Sequence, residues 1–437
     1  MLRIGVIGAG HVGLVTGVAM ASLGHEVVVS DADETKVESM RTGTPPFFEA
    51  GLSALMRTQI EQRRVSFSVS SRESVAGAAI VFICVGRPSD GISDTSLSAV
   101  EEVAREVASE ASDGVVVAEK STVPPGTADR LRTTIERERP ELRFSVVSNP
   151  EFLREGHAID DTLRPTRVVI GADDEHGREI MEELYAPIVQ GGSPIIVTDV
   201  RSAELAKLAS NAFLATKISF ANALARVAEL SGADVEHVAD VMGSDPRIGR
   251  AFLGAGLGYG GYCLPKDVVS LERFSERHGY TFSILEVTSR VNEEAVAHVT
   301  DKVREAMWNL EGKRIGLLGL AFKSETDDVR ASPALELARR LIAEKASVVA
   351  HDPMASDRAR AEMPDLETVD DPYAAASGAN CVVICTDWDE YRGLDLNRLR
   401  VEMAYPIVVD GRNVFDPDEM RTAGISYFSI GRPSIET

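Results

Sequence analysis

The reactive side chains of this chain concentrate in one stretch, Gly256-Leu-Gly-Tyr259-Gly260-Gly-Tyr262-Cys263-Leu-Pro-Lys266-Asp267. Its glycines, at 256, 258, 260 and 261, permit backbone geometries closed to other residues and let chain and ligand approach closely. A thiol follows, and three and four positions later an ammonium and a carboxylate. A neighbouring cation favours the thiolate, the nucleophilic form of cysteine, and a nearby acid or base can handle the protons of a covalent intermediate. By itself the stretch is equally compatible with a flexible surface loop that carries an incidental cysteine, and the rest of the chain must decide. The other cysteines, Cys84, Cys381 and Cys385, stand in short apolar runs and read as small buried strand residues. Zinc would need further ligands at suitable spacing, and the sequence offers none beside them.

A second pair of chemical interest lies upstream. Lys207 and Asn211 are four residues apart in a long apolar helical stretch, 203–230, and so share one helix face. The charge-poor neighbourhood favours a functional lysine over an ordinary solvated one. The stretch is too apolar for a free surface helix, so it should be covered by both flanking domains or by a second subunit.

The elements that must position these groups begin at the first residues. Residues 2–7 read as a buried strand, followed by Gly8-Ala-Gly10-His11-Val12-Gly13, a helix to Leu23, and a second strand that ends at Asp31. A glycine fingerprint alone is weak, but a strand–turn–helix–strand unit with an acid at the end of the second strand is a dinucleotide-binding unit. The helix N-terminus offers N–H groups to the pyrophosphate, and Asp31 would accept from the ribose hydroxyls and repel a 2′-phosphate. NAD is therefore the expected cofactor. Strands at 79–85, 114–118 and 144–148 continue the pattern. Their carboxyl ends lead into Val85-Gly-Arg87-Pro-Ser, Lys120-Ser-Thr122-Val-Pro-Pro-Gly126 and Asn149-Pro-Glu151-Phe-Leu-Arg-Glu155-Gly156. In open α/β sheets the ligand crevice lies beyond such ends, which makes Thr122 and Glu151 candidates for chemistry.

Past the cysteine stretch and a helical segment at 284–310, the opening pattern recurs in altered form. Strand 314–318, Gly319, a helix from Pro333, a strand at 347–350 and His351-Asp352 parallel residues 3–31, and Ala379–Asp387 parallels Ala78–Pro88. The second unit lacks a complete glycine fingerprint and inserts Ala321-Phe322-Lys323 through Arg330 after its turn. Lys323 and Arg330, with Arg412 in Asp-Gly-Arg-Asn, could clamp a second, phosphorylated ligand. The expected fold is α/β, with two doubly wound Rossmann-like domains joined by a central helical segment. The boundaries are 1–198 for the NAD-binding domain, 199–300 for the central domain that carries the cysteine stretch, and 301–437 for the second nucleotide-binding domain.

Composition narrows the function classes. A chain of 437 residues with 44% hydrophobic residues expects several ordinary cores. The formal charge of −22 argues against nucleic acid or an anionic membrane as the main partner. No apolar run reaches the roughly 20 residues that span a bilayer, and Met1-Leu-Arg-Ile reads as the start of a strand and not as a leader, so a cytoplasmic location is expected. Lysine is scarce, with nine among the 46 basic residues. An acidic, lysine-poor surface suits a concentrated-salt cytoplasm, although a high-GC genome would also give the arginine bias.

Seven stretches occur in a characteristic order: 8–13, 120–127, 149–156, 203–217, Arg247-Ile-Gly249, 260–267 and 410–413. With these, nearly the whole chain resembles the nucleotide-sugar 6-dehydrogenase (UDP-glucose/GDP-mannose dehydrogenase) family, and its UDP-glucose branch in particular. The resemblance implies a four-electron oxidation of a sugar C6 alcohol to a carboxylate, with two hydride transfers to NAD and UDP-glucuronate as product. Cys263 would form a thiohemiacetal and then a thioester, Lys207 and Asn211 would stabilise the oxyanion, and Asp267, Thr122 and Glu151 would manage water and protons. It assigns Gly8, Gly10, His11, Val12, Gly13, Asp31, Lys36, Val85, Thr122, Glu155, Lys266 and Arg330 to the cofactor. To the UDP-sugar it assigns Glu151, Phe152, Leu153, Lys207, Asn211, Tyr259, Gly260, Phe322, Lys323 and Arg412, with Arg247 contributed across a homodimer interface. No metal is expected. Three positions depart from the family pattern: Tyr262 where serine is usual, Arg87 where threonine is usual, and Thr166 where aspartate is usual. The alternatives are the same chemistry on GDP-mannose or a UDP-N-acetylhexosamine, a two-electron hydroxyacid dehydrogenase, and a non-catalytic nucleotide-sugar sensor.

Overall fold

The computed structural model describes residues 1–85 and 95–437, the side chains of 95–97 excepted, and Arg87 lies outside the described residues. By compactness the chain falls into two units, Met1–Ser210 and Asn211–Thr437. The first is built on eight strands: β1 (Arg3–Ile7), β2 (Glu26–Ser30), β3 (Val65–Ser68), β4 (Ile80–Ile83), β5 (Val115–Glu119), β6 (Phe144–Ser148), β7 (Val168–Ala172) and β8 (Ile195–Thr198). Their order is β3-β2-β1-β4-β5-β6-β7-β8, and all neighbours are parallel except β6 and β7. Central strands such as Val115-Val-Val-Ala are buried on both faces, which is why they read as continuous apolar runs and not as alternating ones. The strand order reverses between β1 and β4. The loops that follow β1, β4, β5 and β6 all leave from the carboxyl edge beside that point.

The second unit repeats the pattern with β9 (Arg314–Leu318), β10 (Ser347–His351), β11 (Glu367–Thr368), β12 (Cys381–Ile384), β13 (Ile407–Asp410) and β14 (Ser426–Ser429). They form a six-stranded parallel sheet in the order β11-β10-β9-β12-β13-β14, which is the doubly wound order again. Its core joins the sheet to helices Ser283–Met307 and Pro333–Ala343 through Val299, Val303, Leu317, Leu337 and Leu341.

The long apolar stretch is one helix, Val200–Ser231. Ala212, Ala215, Ala221, Ala225 and Ala228 are buried, but Phe213, Phe220 and Val227 are 65%, 54% and 58% exposed. These three recur every seven residues, that is every two turns, and form an uncovered stripe. Coverage by this chain alone therefore does not account for the apolarity of the helix. Among the described residues, no helix is long and apolar enough to cross a membrane.

Candidate active site

The turn after β1 has the shape a pyrophosphate requires. Gly8 adopts φ +98°, and a Cβ at Gly13 would stand 1.8 Å from the Gly8 carbonyl oxygen, so neither position admits a side chain. Gly10, by contrast, has nothing within 4 Å of where its Cβ would be, which leaves backbone open to a ligand. Gly10 is also the N-cap of helix His11–Ser22 and supplies no capping side chain, so the positive end of the helix dipole lies at this turn, where it favours an anion. Asp31 accepts from the Ala9 backbone N–H at 2.9 Å, and Lys36 lies 3.9 Å from its carboxylate. His11 stacks on Phe47 with ring centroids 3.7 Å apart. The expected cofactor residues Gly8, Gly10, His11, Val12, Gly13, Asp31 and Lys36 thus gather at one end of β1 and β2, and they fit a dinucleotide.

The corresponding turn of the second unit is closed by its own chain. Asp352, at the position that parallels Asp31, accepts from the backbone N–H groups of Leu320, Ala321, Met354 and Ala355 at 2.7–3.1 Å. Helix Pro333–Ala343 is capped by the Ser332 hydroxyl. The groups that would greet a pyrophosphate are therefore already satisfied, so the second unit keeps the sheet order without the dinucleotide turn.

Two loops of the first unit meet through buried polar groups. Ser121 donates to the Val85 carbonyl at 2.8 Å, which ties the Thr122 loop to the end of β4. Lys120 donates to the Asn149 side-chain oxygen at 3.0 Å and to the Tyr185 hydroxyl at 3.3 Å, and the Tyr185 hydroxyl donates to Asn149 at 2.6 Å. This bridge joins the 120–126 and 149–156 loops. Lys120 and Asn149 were visible as motif letters, whereas Tyr185, in mid-helix, carries no local signal. Glu151 pairs with Lys207 at 3.1 Å, both nearly buried, and also accepts from Leu153 N–H at 2.8 Å. Lys207 stands 5.2 Å from the centre of the Phe152 ring, whose other cation neighbour is Arg167 at 3.8 Å. Glu155 is buried close by in sequence.

In the second unit Cys263 is the first residue of helix Cys263–Arg277, and no side chain caps that end. The positive end of the helix dipole therefore lies at the residue that carries the thiol. Burial pushes the thiols of Cys84, Cys381 and Cys385 up to about 12, and Cys263 alone is not buried. Asp267 is fully buried, pairs with Lys266, and accepts from the Asn211 side-chain amide at 2.6 Å.

The glycine stretch is held on several sides. Asn222 accepts from Gly256 N–H at 2.8 Å, and Asn292 both accepts from Tyr259 N–H and donates to its carbonyl. A Cβ at Gly260 would lie 2.2 Å from the Ala331 carbonyl oxygen, and one at Gly261 would meet the Phe322 ring. Tyr262 has two cations near its ring, Arg330 at 4.5 Å and Lys266 at 5.3 Å from its centre, so the large residue in the usual serine position is accommodated as a cation–π platform.

Arg412 donates to the carbonyls of Cys385, Gly258 and Phe322 at 2.9–3.2 Å, which ties the insertion and the glycine stretch to the end of β12. Lys323 lies beside its neighbour Phe322. Arg247 is the residue expected to reach a sugar site. It is exposed, and its guanidinium engages both oxygens of Asp245.

Comparison with known proteins agrees with this geometry. Models of the UDP-glucose/GDP-mannose dehydrogenase family match residues 2–189 as the NAD-binding domain, 201–294 as the central domain and 316–417 as the UDP-binding domain. A UDP-glucose 6-dehydrogenase of Rhizobium meliloti is 44% identical over 99% of this chain and 100% of its own length. A solved UDP-glucose dehydrogenase of Pyrobaculum islandicum is 40% identical with a TM-score of 0.90, covering 99% of this chain and 98% of its own. A UDP-D-ManNAc dehydrogenase structure from Pyrococcus horikoshii is 27% identical with a TM-score of 0.86, covering 99% of each chain. The chain uses NAD, is an oxidoreductase, and belongs to the UDP-glucose/GDP-mannose dehydrogenase family.

Proposed function

We propose that Cys263 carries the reaction its family membership assigns, the NAD-dependent oxidation of UDP-glucose, as a covalent intermediate on the way to UDP-glucuronate. The observation that supports this most directly is the setting of the sulfur. It is the one cysteine outside a core, at an uncapped helix N-terminus, with Lys266 and Asp267 in the same helix turn and Asp267 held by Asn211 at 2.6 Å.

Two NAD molecules, held in turn by the Gly8–Gly13 turn and Asp31, would each supply the acceptor for one hydride. The first oxidation converts the C6 alcohol to an aldehyde, with the alcohol proton passing toward the Thr122 and Glu151 side. The Cys263 thiolate adds to the aldehyde carbon, and the carbonyl electrons become an oxyanion, whose stabilisation the family resemblance gives to the Lys207 ammonium and the Asn211 amide. Loss of the second hydride from that carbon leaves a thioester. Water, deprotonated toward Asp267, then displaces the thiolate and leaves a carboxylate. Covalent capture keeps a reactive aldehyde from leaking or hydrating between the two oxidations. Binding energy from the remote nucleotide, on the Lys323 and Arg412 side, serves to place C6.

Phe213, Phe220 and Val227 support a homodimer through that stripe, with Arg247 reaching the neighbour's sugar site. We read the chain as three functional segments with boundaries near 198 and 300. We also read the enzyme as cytoplasmic, working at high salt, and supplying uronate for glycan synthesis. The decisive test counts NADH per UDP-glucose. Two equivalents support the thioester route, one equivalent defeats it, and faster turnover of GDP-mannose or a UDP-N-acetylhexosamine reassigns the substrate.

A further inference from the structure

Two buried glutamates outside the catalytic set make the same pattern of contacts in the first unit. Glu204, 2% exposed, accepts from the backbone N–H groups of Gly126 and Ala128 at 2.6 and 2.9 Å. Glu49, 5% exposed, accepts from those of Gly156 and Ala158, both at 2.8 Å. In each case a carboxylate takes the N–H of a glycine and of the alanine two residues on. In each case, too, those residues end a loop that carries a candidate catalytic group, Thr122 in one and Glu151 in the other. We infer that Glu204 and Glu49 are positioning residues that set Thr122 and Glu151 in register with Lys207.

The contacts reach further than helix stability requires. Helices that begin at Glu34, Glu175 and Val235 are capped by their own preceding Asp33, Asp174 and Asp234. Helix Thr127–Glu138 starts instead at Gly126, whose φ is +90° and which has no capping side chain, and its acceptor comes from 76 residues away. That acceptor stands one turn before Lys207 on the same helix, so the clamp fixes the loop to the turn that carries the ammonium. Between Thr122 and Gly126 the chain is Val-Pro-Pro, and two prolines make the link stiff, so a shift at Gly126 reaches Thr122. The other side of Thr122 is already tied by Ser121 to Val85.

On the second loop, Glu151 lies between its bond to Lys207 and the Glu49 clamp at Gly156. Burying a carboxylate is costly unless it is hydrogen-bonded, and desolvation raises the Glu204 pKa above the ordinary glutamate value even with both N–H bonds made.

The inference rests on the catalytic reading of Thr122 and Glu151, and the test separates the two. In the full-length enzyme, Glu204→Gln keeps the side-chain size but offers one acceptor where two are needed. Steady-state kinetics with UDP-glucose and saturating NAD would be measured for Glu204→Gln, Glu49→Gln, Thr122→Ala and the Glu204→Gln/Thr122→Ala pair, with thermal midpoints alongside. Expected are kcat losses on the order of tenfold for each glutamine variant, KM within about twofold of wild type, and a double variant no slower than Thr122→Ala alone. Wild-type kcat in Glu204→Gln, or losses that multiply fully in the pair, overturns the clamp. A Thr122→Ala enzyme at wild-type rate overturns the reading of Thr122 instead.

Discussion

Replacing Lys207 with methionine, a side chain of similar length without charge, tests the Lys207–Glu151 pair in two ways at once. The pair is buried on both sides and 3.1 Å apart, so the variant leaves a carboxylate stripped of that cation in a dry site. Keeping it ionised costs about 3–5 kcal/mol. Taking up a proton at pH 7 costs about 3.7 kcal/mol, from a reference pKa of about 4.3 at about 1.36 kcal/mol per unit. The cheaper outcome prevails, so the penalty at pH 7 is about 3–4 kcal/mol. By the same arithmetic it falls to about 1.6 kcal/mol at pH 5.5.

The sign follows from linkage. Without Lys207 the buried carboxylate is tolerated best when protonated, so the variant is least impaired at low pH and loses stability as pH rises. Differential scanning calorimetry at pH 5.5 and 7.5 should therefore show a drop on the order of 10 °C at the higher pH and a much smaller one at the lower. Adding Glu151→Gln should restore most of the melting temperature at pH 7.5. Turnover should stay down by about 10²–10³-fold, because the oxyanion donor is still missing. A Lys207→Met enzyme equally destabilised at both pH values, or a double variant with no recovery, refutes the pairing argument.

Cys263→Ser should end net NADH production while calorimetry still detects UDP-glucose binding, and steady turnover in that variant defeats the covalent route. Glu229 is opposed by burial but held down to about 2 by His298, the Gly431 N–H and Lys302, against an ordinary 4.5. That stabilisation, about 3 kcal/mol, is present above pH 4.5 and is lost as pH falls toward 2, so Glu229→Gln should lower the melting temperature at pH 7 and flatten the acid limb of the stability profile. Phe213→Asp puts a charge in the exposed stripe of helix Val200–Ser231 and should shift the enzyme toward monomer in sedimentation, with activity falling in step. A monomeric, fully active wild type rules out the shared-site reading.

Much of the architecture was legible in the residues. Runs such as Val115-Val-Val and Cys381-Val-Val-Ile announce doubly buried strands because both faces of a covered parallel sheet exclude polar side chains. The turn at Gly8–Gly13 is legible for a similar reason, since only glycine tolerates φ +98° at Gly8 or a carbonyl 1.8 Å from a Cβ position at Gly13. The recurrence of the first unit in the second was visible as well, but not that Asp352 would spend its acceptors on its own backbone where Asp31 keeps fewer engaged.

Local pattern thus determined the strands and the dinucleotide turn, because each is set by contacts within one element or its immediate neighbours. Only the tertiary structure decided the Lys120–Asn149–Tyr185 bridge, the Glu204 and Glu49 clamps, and the cation–π contact of Tyr262 with Arg330. Those partners stand 29 to 109 residues apart in sequence, and a pairing at such a distance leaves no periodicity in the chain from which it could be read.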